Sequence, residues 1–306
     1  MIKYLTAAAC LKLCSSSSLM KRCYRFLGNE FGSKRRIQSH LPGYYVDRVK
    51  RYLSLCKKYN AIKDGDKLLE VGTGWIHWES LSLSLFFDIK ATLFDIWDNR
   101  QLSALKKYCL WFDAMIDKEI DFDPERKARA HRIIKSITLA DNFEDLYDLL
   151  NFEYLINPEG KLDNFRDESY NIIISGGVLE HVNRVYISEY INNLGRLLKQ
   201  DGYSIHSINI TDHLSMYTNR VSLKNYLQYS DKIWKTYFEN DVQYFNRIQK
   251  TEWLELFSRS GLELIEEQSD YLNISDLRID KQYEVLSKED LACIHIKLLH
   301  TKRPVN

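Results

Sequence analysis

A strand, a tight glycine turn and a delayed acidic residue constrain this chain more than any other feature: Lys67-Leu-Leu-Glu-Val-Gly-Thr-Gly-Trp75, then Ala91-Thr-Leu-Phe-Asp-Ile96. Leu68, Leu69 and Val71, interrupted only by Glu70, suit a parallel strand buried on both faces. Gly72 and Gly74 let the chain turn sharply into a helix and let a ligand approach the backbone. A second strand then ends on Asp95, where a nucleoside-binding α/β sheet carries the acceptor for ribose hydroxyls. The ligand expected here is a nucleoside.

What is missing narrows the choice. A dinucleotide fingerprint needs a third glycine three places after the second, and that place holds His77, preceded by Trp75 and Ile76. Side chains of that bulk leave little room for a pyrophosphate at a helix N-terminus. Glu70 is an anion inside the turn, which repels phosphates but suits an ammonium group.

The pattern Glu70-x-Gly72-x-Gly74 resembles motif I of the class I S-adenosylmethionine-dependent methyltransferases, with Ile76 in place of the usual third glycine. Ser169-Tyr-Asn-Ile-Ile-Ile-Ser-Gly-Gly-Val-Leu-Glu-His-Val182 resembles the family's fourth strand and the loop after it. Leu194-Gly-Arg-Leu-Leu-Lys-Gln-Asp-Gly202 and Tyr203-Ser-Ile-His-Ser-Ile-Asn209 resemble the next helix, with Gly202 as its stop, and the fifth strand. The resemblance implies an α/β Rossmann-like fold, a mostly parallel seven-stranded sheet with helices on both faces. It also implies S-adenosyl-L-methionine as methyl donor, held by Glu70, Gly72, Gly74, Asp95, Asn157, Ser175 and Gly176.

With 306 residues and 45% hydrophobic content the chain can build a sizeable core, and four prolines mark no linker. The expected division is a basic helical extension over 1–60 and a methyltransferase domain over 61–306, with helical insertions near 100–150 and 210–250. Leu102, Leu105, Tyr108 and Trp111 recur at helical spacing, and Asp123-Pro124 is a helix start. A third strand is expected at 152–157, a helix at 251–261, and closing strands around 262–267 and 292–299. Six cysteines show neither metal-ligand spacing nor a disulfide framework and read as reduced thiols in a cytoplasmic protein. Lys12 interrupts the apolar stretch at the N-terminus and no cleavage site follows, so export is not expected. No apolar run approaches the roughly 20 residues that span a bilayer.

Residues 1–58 carry 13 Lys or Arg against Glu30 and Asp47, a net of +11 in a chain whose total is +1. Such a segment is expected to form a solvated helical cap, to dock on the acidic body, or to meet an anionic partner, a phosphate-bearing substrate or the inner membrane surface. Nucleic acid is not expected, for lack of an RNA-binding motif or basic-aromatic platform.

A hydroxyl acceptor benefits from a general base, and histidine is the usual one. His213 follows Asp212 at the expected mouth of the sheet, where the carboxylate could orient the imidazole. His181 is the second candidate, and His206, inside a strand, reads as structural. No tight metal-ligand motif is present, so no metal is expected. Aromatic residues in 210–250 either stack on a sugar acceptor or form the insertion's core. Tyr24–Gly32, Gly72–Glu79, Phe94–Asn99, Asp212-His213 and Asn246–Gln249 resemble methyltransferases of bacterial surface-glycan biosynthesis. The function expected is O-methylation of a sugar hydroxyl in a bacterial polysaccharide. The alternatives are a methyltransferase for another small molecule or lipid, and a non-catalytic S-adenosylmethionine-binding module.

Overall fold

The apolar runs at 68–71, 91–94 and 172–174 are buried on both faces, as central parallel strands require. In this computed structural model, which describes residues 1–302, they belong to a sheet of strands β1 (Lys67–Val71), β2 (Lys90–Asp95), β3 (Phe152–Ile156), β4 (Tyr170–Gly176), β5 (Leu198–Asn209), β6 (Leu262–Tyr271) and β7 (Cys293–Lys302). The order is β3-β2-β1-β4-β5-β7-β6. β1 pairs in parallel with β2 and β4, in registers Glu70 to Leu93 and Glu70 to Ile174, and β2 pairs in parallel with β3. The helices in chain order are α1 (Ile2–Cys14), α2 (Ser18–Gln38), α3 (Gly43–Tyr59), α4 (Trp78–Phe86), α5 (Leu102–Glu119), α6 (Pro124–Leu139), α7 (Phe143–Leu150), α8 (Ile187–Leu197), α9 (Asp231–Tyr237), α10 (Lys250–Arg259) and α11 (Lys288–Ala292). This is the Rossmann-like methyltransferase architecture.

The chain groups into two compact units. One comprises Glu30–Gly176, Asn193–Ile205, Thr301 and Lys302. Its centre is α4, every residue of which is buried, Ser80, Ser82 and Ser84 included. Trp78 of α4 donates to the Tyr45 carbonyl of α3 at 3.1 Å and meets Phe112 of α5 edge-on. The first insertion is helical because its signals are local: Leu105, Tyr108 and Phe112 give α5 one buried face, and Asp123 caps α6 by accepting from the Arg126 N–H at 3.0 Å. Within this unit α3 carries the ion pairs Arg48–Glu79, Lys50–Glu119 and Lys57–Asp121.

Gly202, read as a helix stop, lies inside β5. α8 ends at Leu197, and the left-handed turn is taken by Asp201 at φ 58°. Glycine is needed at 202 because a Cβ would lie 2.9 Å from the carbonyls of Asn171 and Lys199.

The other unit comprises Met1–Asn29, Gly177–Asn192 and His206–His300. Its core is aromatic: Tyr4, Ala8 and Leu11 of α1 pack with Leu214, Tyr226, Trp234, Phe238, Phe245, Tyr283 and Leu291. The second insertion, expected to be helical, is only partly so, with 3-10 turns at His213–Tyr217 and Asn225–Gln228 and α9 as its regular helix. Tyr226, Trp234, Phe238 and Phe245 are therefore core residues, not a free stacking platform.

Candidate functional site

Gly72 and Gly74 both adopt left-handed backbone, at φ 72° and 61°, so each needs glycine for the turn itself. The turn is pinned to β2 by Gly72 N–H to the Phe94 carbonyl at 2.7 Å and by Gly74 N–H to Asp95 Oδ2 at 2.9 Å. The first residue before α4, His77, is also left-handed, at φ 50°, and its ring bonds Thr73 through Nδ1 and the Tyr147 hydroxyl through Nε2 at 2.9 Å. His77 does not cap α4. Glu70 does, accepting from the Ser80 N–H at 2.8 Å with Oε2.

Glu70 Oε1 is buried and has no partner among the described residues. Burial, and after it the charge of Glu79, pushes the Glu70 carboxyl well above its usual range. A cationic group brought to Oε1 would satisfy that oxygen and restore the carboxylate, which fits the ammonium and sulfonium charges of S-adenosylmethionine. Asp95 sits at the end of β2, mostly buried, and burial raises its pKa. Its oxygens take the Gly74 and Ile96 N–H groups, at 2.9 and 2.7 Å, and the Trp97 N–H as well, which leaves the carboxylate capacity for a ribose hydroxyl.

Gly176 ends β4 beside Arg48 and Glu79, which bond at 2.6 Å. A Cβ at 176 would collide with Glu79 Oε1 and lie 3.1 Å from Arg48 Nη1, so a side chain at this strand end must displace that pair. Ser175 is buried just before it. Asn157, in contrast, spends its side chain on its own turn: Oδ1 accepts from Glu159 N–H at 3.0 Å and Nδ2 donates to the Lys161 carbonyl at 3.1 Å. That leaves Asn157 a loop-building residue whose backbone N–H bonds the Asp95 carbonyl. Arg48 and Glu79 were not identified from the sequence; a paired arginine in a helix and a glutamate in a buried helix give no spacing signal.

In the other unit the expected Asp212–His213 pair does not form. Asp212 Oδ1 accepts from the Leu214 N–H at 2.9 Å, capping its 3-10 turn, and Oδ2 accepts from the Tyr4 hydroxyl at 2.6 Å. Burial lifts the Asp212 carboxyl to about 7. His213 faces His181 instead, with ring centroids 4.9 Å apart, and packs on Phe245 at 4.6 Å. Burial, and then His181, lowers the His213 imidazole to about 3, so it is neutral and a weak base. His206, stacked on Phe257 and wholly buried, is structural as its strand position indicates.

His181 is built differently. The 3-10 turn Leu179–His181 follows β4 and is clamped by Asn246, whose N–H bonds the Glu180 carbonyl at 2.8 Å and whose Nδ2 bonds the Leu179 and Val182 carbonyls at 2.9 and 3.1 Å. His181 Nδ1 donates to the Tyr244 carbonyl at 2.6 Å, which fixes the tautomer and leaves Nε2 with a lone pair. Glu180 is buried, with Oε1 accepting from the Asn209 N–H at 3.2 Å. One donor atom from each of Glu180, His181 and His213 lies within 4.8 Å of the others. A small cavity beside His213 is lined by Trp234, Phe238, Asn240, Gln243 and Tyr244.

Comparison with known proteins identifies the family. A family model described as a methyltransferase domain matches residues 37–267. No curated protein sequence matches the chain. Among solved structures, a chain from the Haloferax volcanii complex containing the Trm112 methyltransferase activator is 14% identical, with a TM-score of 0.45 over 85% of this chain and 92% of that one. The phosphoethanolamine N-methyltransferase 2 of Haemonchus contortus, solved with S-adenosyl-L-methionine, is 12% identical, with a TM-score of 0.46 over 83% of this chain and 52% of that one. The YcgJ protein of a Bacillus is 15% identical, with a TM-score of 0.41 over 83% and 99%. With the family match spanning most of the sequence, the chain belongs to the methyltransferase-domain family and is an S-adenosylmethionine-dependent methyltransferase.

Proposed function

We propose that the acceptor is a sugar hydroxyl of a bacterial glycan and that its proton is lost at the loop cluster of Glu180, His181 and His213. Transfer from a sulfonium is an in-line displacement, so the enzyme must orient the reactants and exclude water, and a hydroxyl must also be made nucleophilic. The observation that carries this reading is His181, exposed, with its Nδ1 tied to the Tyr244 carbonyl and Nε2 able to accept. An amine acceptor has less need of such a group.

The test is methyl transfer from isotopically labelled S-adenosylmethionine to a panel of bacterial glycan fragments, with the product position read by NMR. An O-methyl ether, lowered roughly 10²–10⁴-fold in rate by His181→Asn at unchanged S-adenosylmethionine affinity, supports the reading. An N-methyl product, or full turnover by the variant, overturns it.

The reading extends to the N-terminus. No helix among the described residues is long and apolar enough to cross a membrane. α2 nonetheless buries none of its residues fully and exposes Leu19, Phe26, Leu27 and Phe31, at i, i+7, i+8 and i+12, beside Arg22, Lys34 and Arg35. An apolar stripe flanked by cations suits the surface of an anionic membrane, where glycan intermediates would be met.

A further inference from the structure

Glu180 and His181 leave the end of β4, and His213 stands four residues past β5, its neighbour in the sheet. The three donor atoms within 4.8 Å of one another are a carboxylate oxygen and two imidazole nitrogens. Ion bonds of about 2.0–2.2 Å hold donors roughly 3.3 Å apart, so closing this set needs only small side-chain rotations. We propose that Glu180, His181 and His213 hold a divalent first-row transition ion, with positions left open for an oxygen ligand.

Two further features point the same way. His181 Nδ1 donates to a backbone carbonyl, the second bond that orients a ligating imidazole and presents Nε2 to an ion. Glu180 Oε1 is held by the Asn209 N–H, and the turn that carries both residues is clamped by the three hydrogen bonds of Asn246. Two of the three ligands thus have partners that orient them, and the turn that carries both is supported. Two nitrogens and one carboxylate favour zinc, cobalt, manganese or iron over magnesium, which prefers oxygen and keeps its waters. This deepens the functional reading above, on which only its catalytic part rests: a hydroxyl on such an ion loses its proton to solvent base near neutral pH, leaving an alkoxide on the metal as nucleophile.

The probe is Co²⁺ added to chelator-treated full-length protein, followed by d–d absorption and calorimetry, with Mn²⁺ and its electron paramagnetic resonance as a second ion. The expected result is one equivalent bound per chain, weakened 10–100-fold or more by His181→Asn, by His213→Asn and by Glu180→Gln. Circular dichroism and S-adenosylhomocysteine binding report whether each variant is folded, and Asn246→Asp, which keeps the ligands, provides a further variant of the supporting turn. Binding unchanged in all three folded ligand variants, or carried by the exposed Cys10 and Cys23 thiols and lost on alkylation, would overturn the site, as would no binding at all. Failure to methylate any sugar leaves an observed ion site standing, so the two readings fail separately.

Discussion

Lys224 is buried completely, and its nitrogen reaches Gln249 Oε1 at 2.8 Å, the Cys293 carbonyl at 2.8 Å and the Ile210 carbonyl at 3.4 Å. Three acceptors for three N–H donors favour the ammonium, whereas loss of water favours the neutral amine. Burial dominates and brings the pKa from 10.5 to about 7. Between those two values the unfolded chain binds a proton that the folded chain lacks, so stability rises with pH across that window. Below about pH 7 both states carry the proton, and the full cost of burying the charge is present. At about 1.4 kcal/mol for each tenfold change in proton affinity, the whole window is worth on the order of 5 kcal/mol. Urea unfolding of the wild type and of Lys224→Met at several pH values between 6.5 and 10 isolates this group from the tyrosines and cysteines that titrate in both proteins. The wild type should gain several kcal/mol on the variant as pH rises. A difference that stays flat would show that the three oxygens hold the ammonium charged throughout, and the argument from burial would be wrong. Ile210 precedes Asp212 by two residues, so the same lysine also fixes the strand end from which the His213 turn departs.

Asp95→Ala should weaken S-adenosylhomocysteine binding by about 1–3 kcal/mol through lost charged hydrogen bonds to the ribose; unchanged affinity in calorimetry would pass that role to another acid, Asp98 first. Gly176→Ala must displace the Arg48–Glu79 pair and should cost about 1–3 kcal/mol in urea unfolding, and a neutral result would mean that Glu79 swings aside freely. Vesicles containing phosphatidylglycerol should pellet the protein while neutral vesicles do not, and Phe26→Ser with Phe31→Ser should abolish this at low salt; equal pelleting by the double variant would remove α2 from the contact.

The cofactor side of the fold was legible because its determinants are local. Buried strands announce themselves as apolar runs, positive φ at Gly72 and Gly74 demands glycine, and an acid at a strand end has a fixed place in the topology. Gly202 shows the limit of that logic. A glycine between an apolar helix and a strand reads as a helix stop, but here Asp201 supplies the left-handed turn and the glycine answers to two carbonyls that converge only in the folded sheet. Glu79 and Arg48 were hidden for a similar reason: residues 31 positions apart carry no period that joins them.

The histidines carry the same lesson to the chemistry. Adjacency of Asp212 and His213 suggested a pair, yet an aspartate that opens a turn is drawn to the N–H two residues on, and Asp212 follows that local rule with Leu214. Its second oxygen is taken by Tyr4, 208 positions away, which no local pattern could announce. Freed of the carboxylate next to it, His213 meets His181 because β4 and β5 are neighbours in the sheet and both loops leave from it. The usable signal was therefore topological: an acid–histidine dipeptide after one strand and a histidine after the adjoining strand. Two imidazoles and a buried carboxylate so arranged have more in common with an ion site than with a single general base, and ion binding by the three variants decides between them.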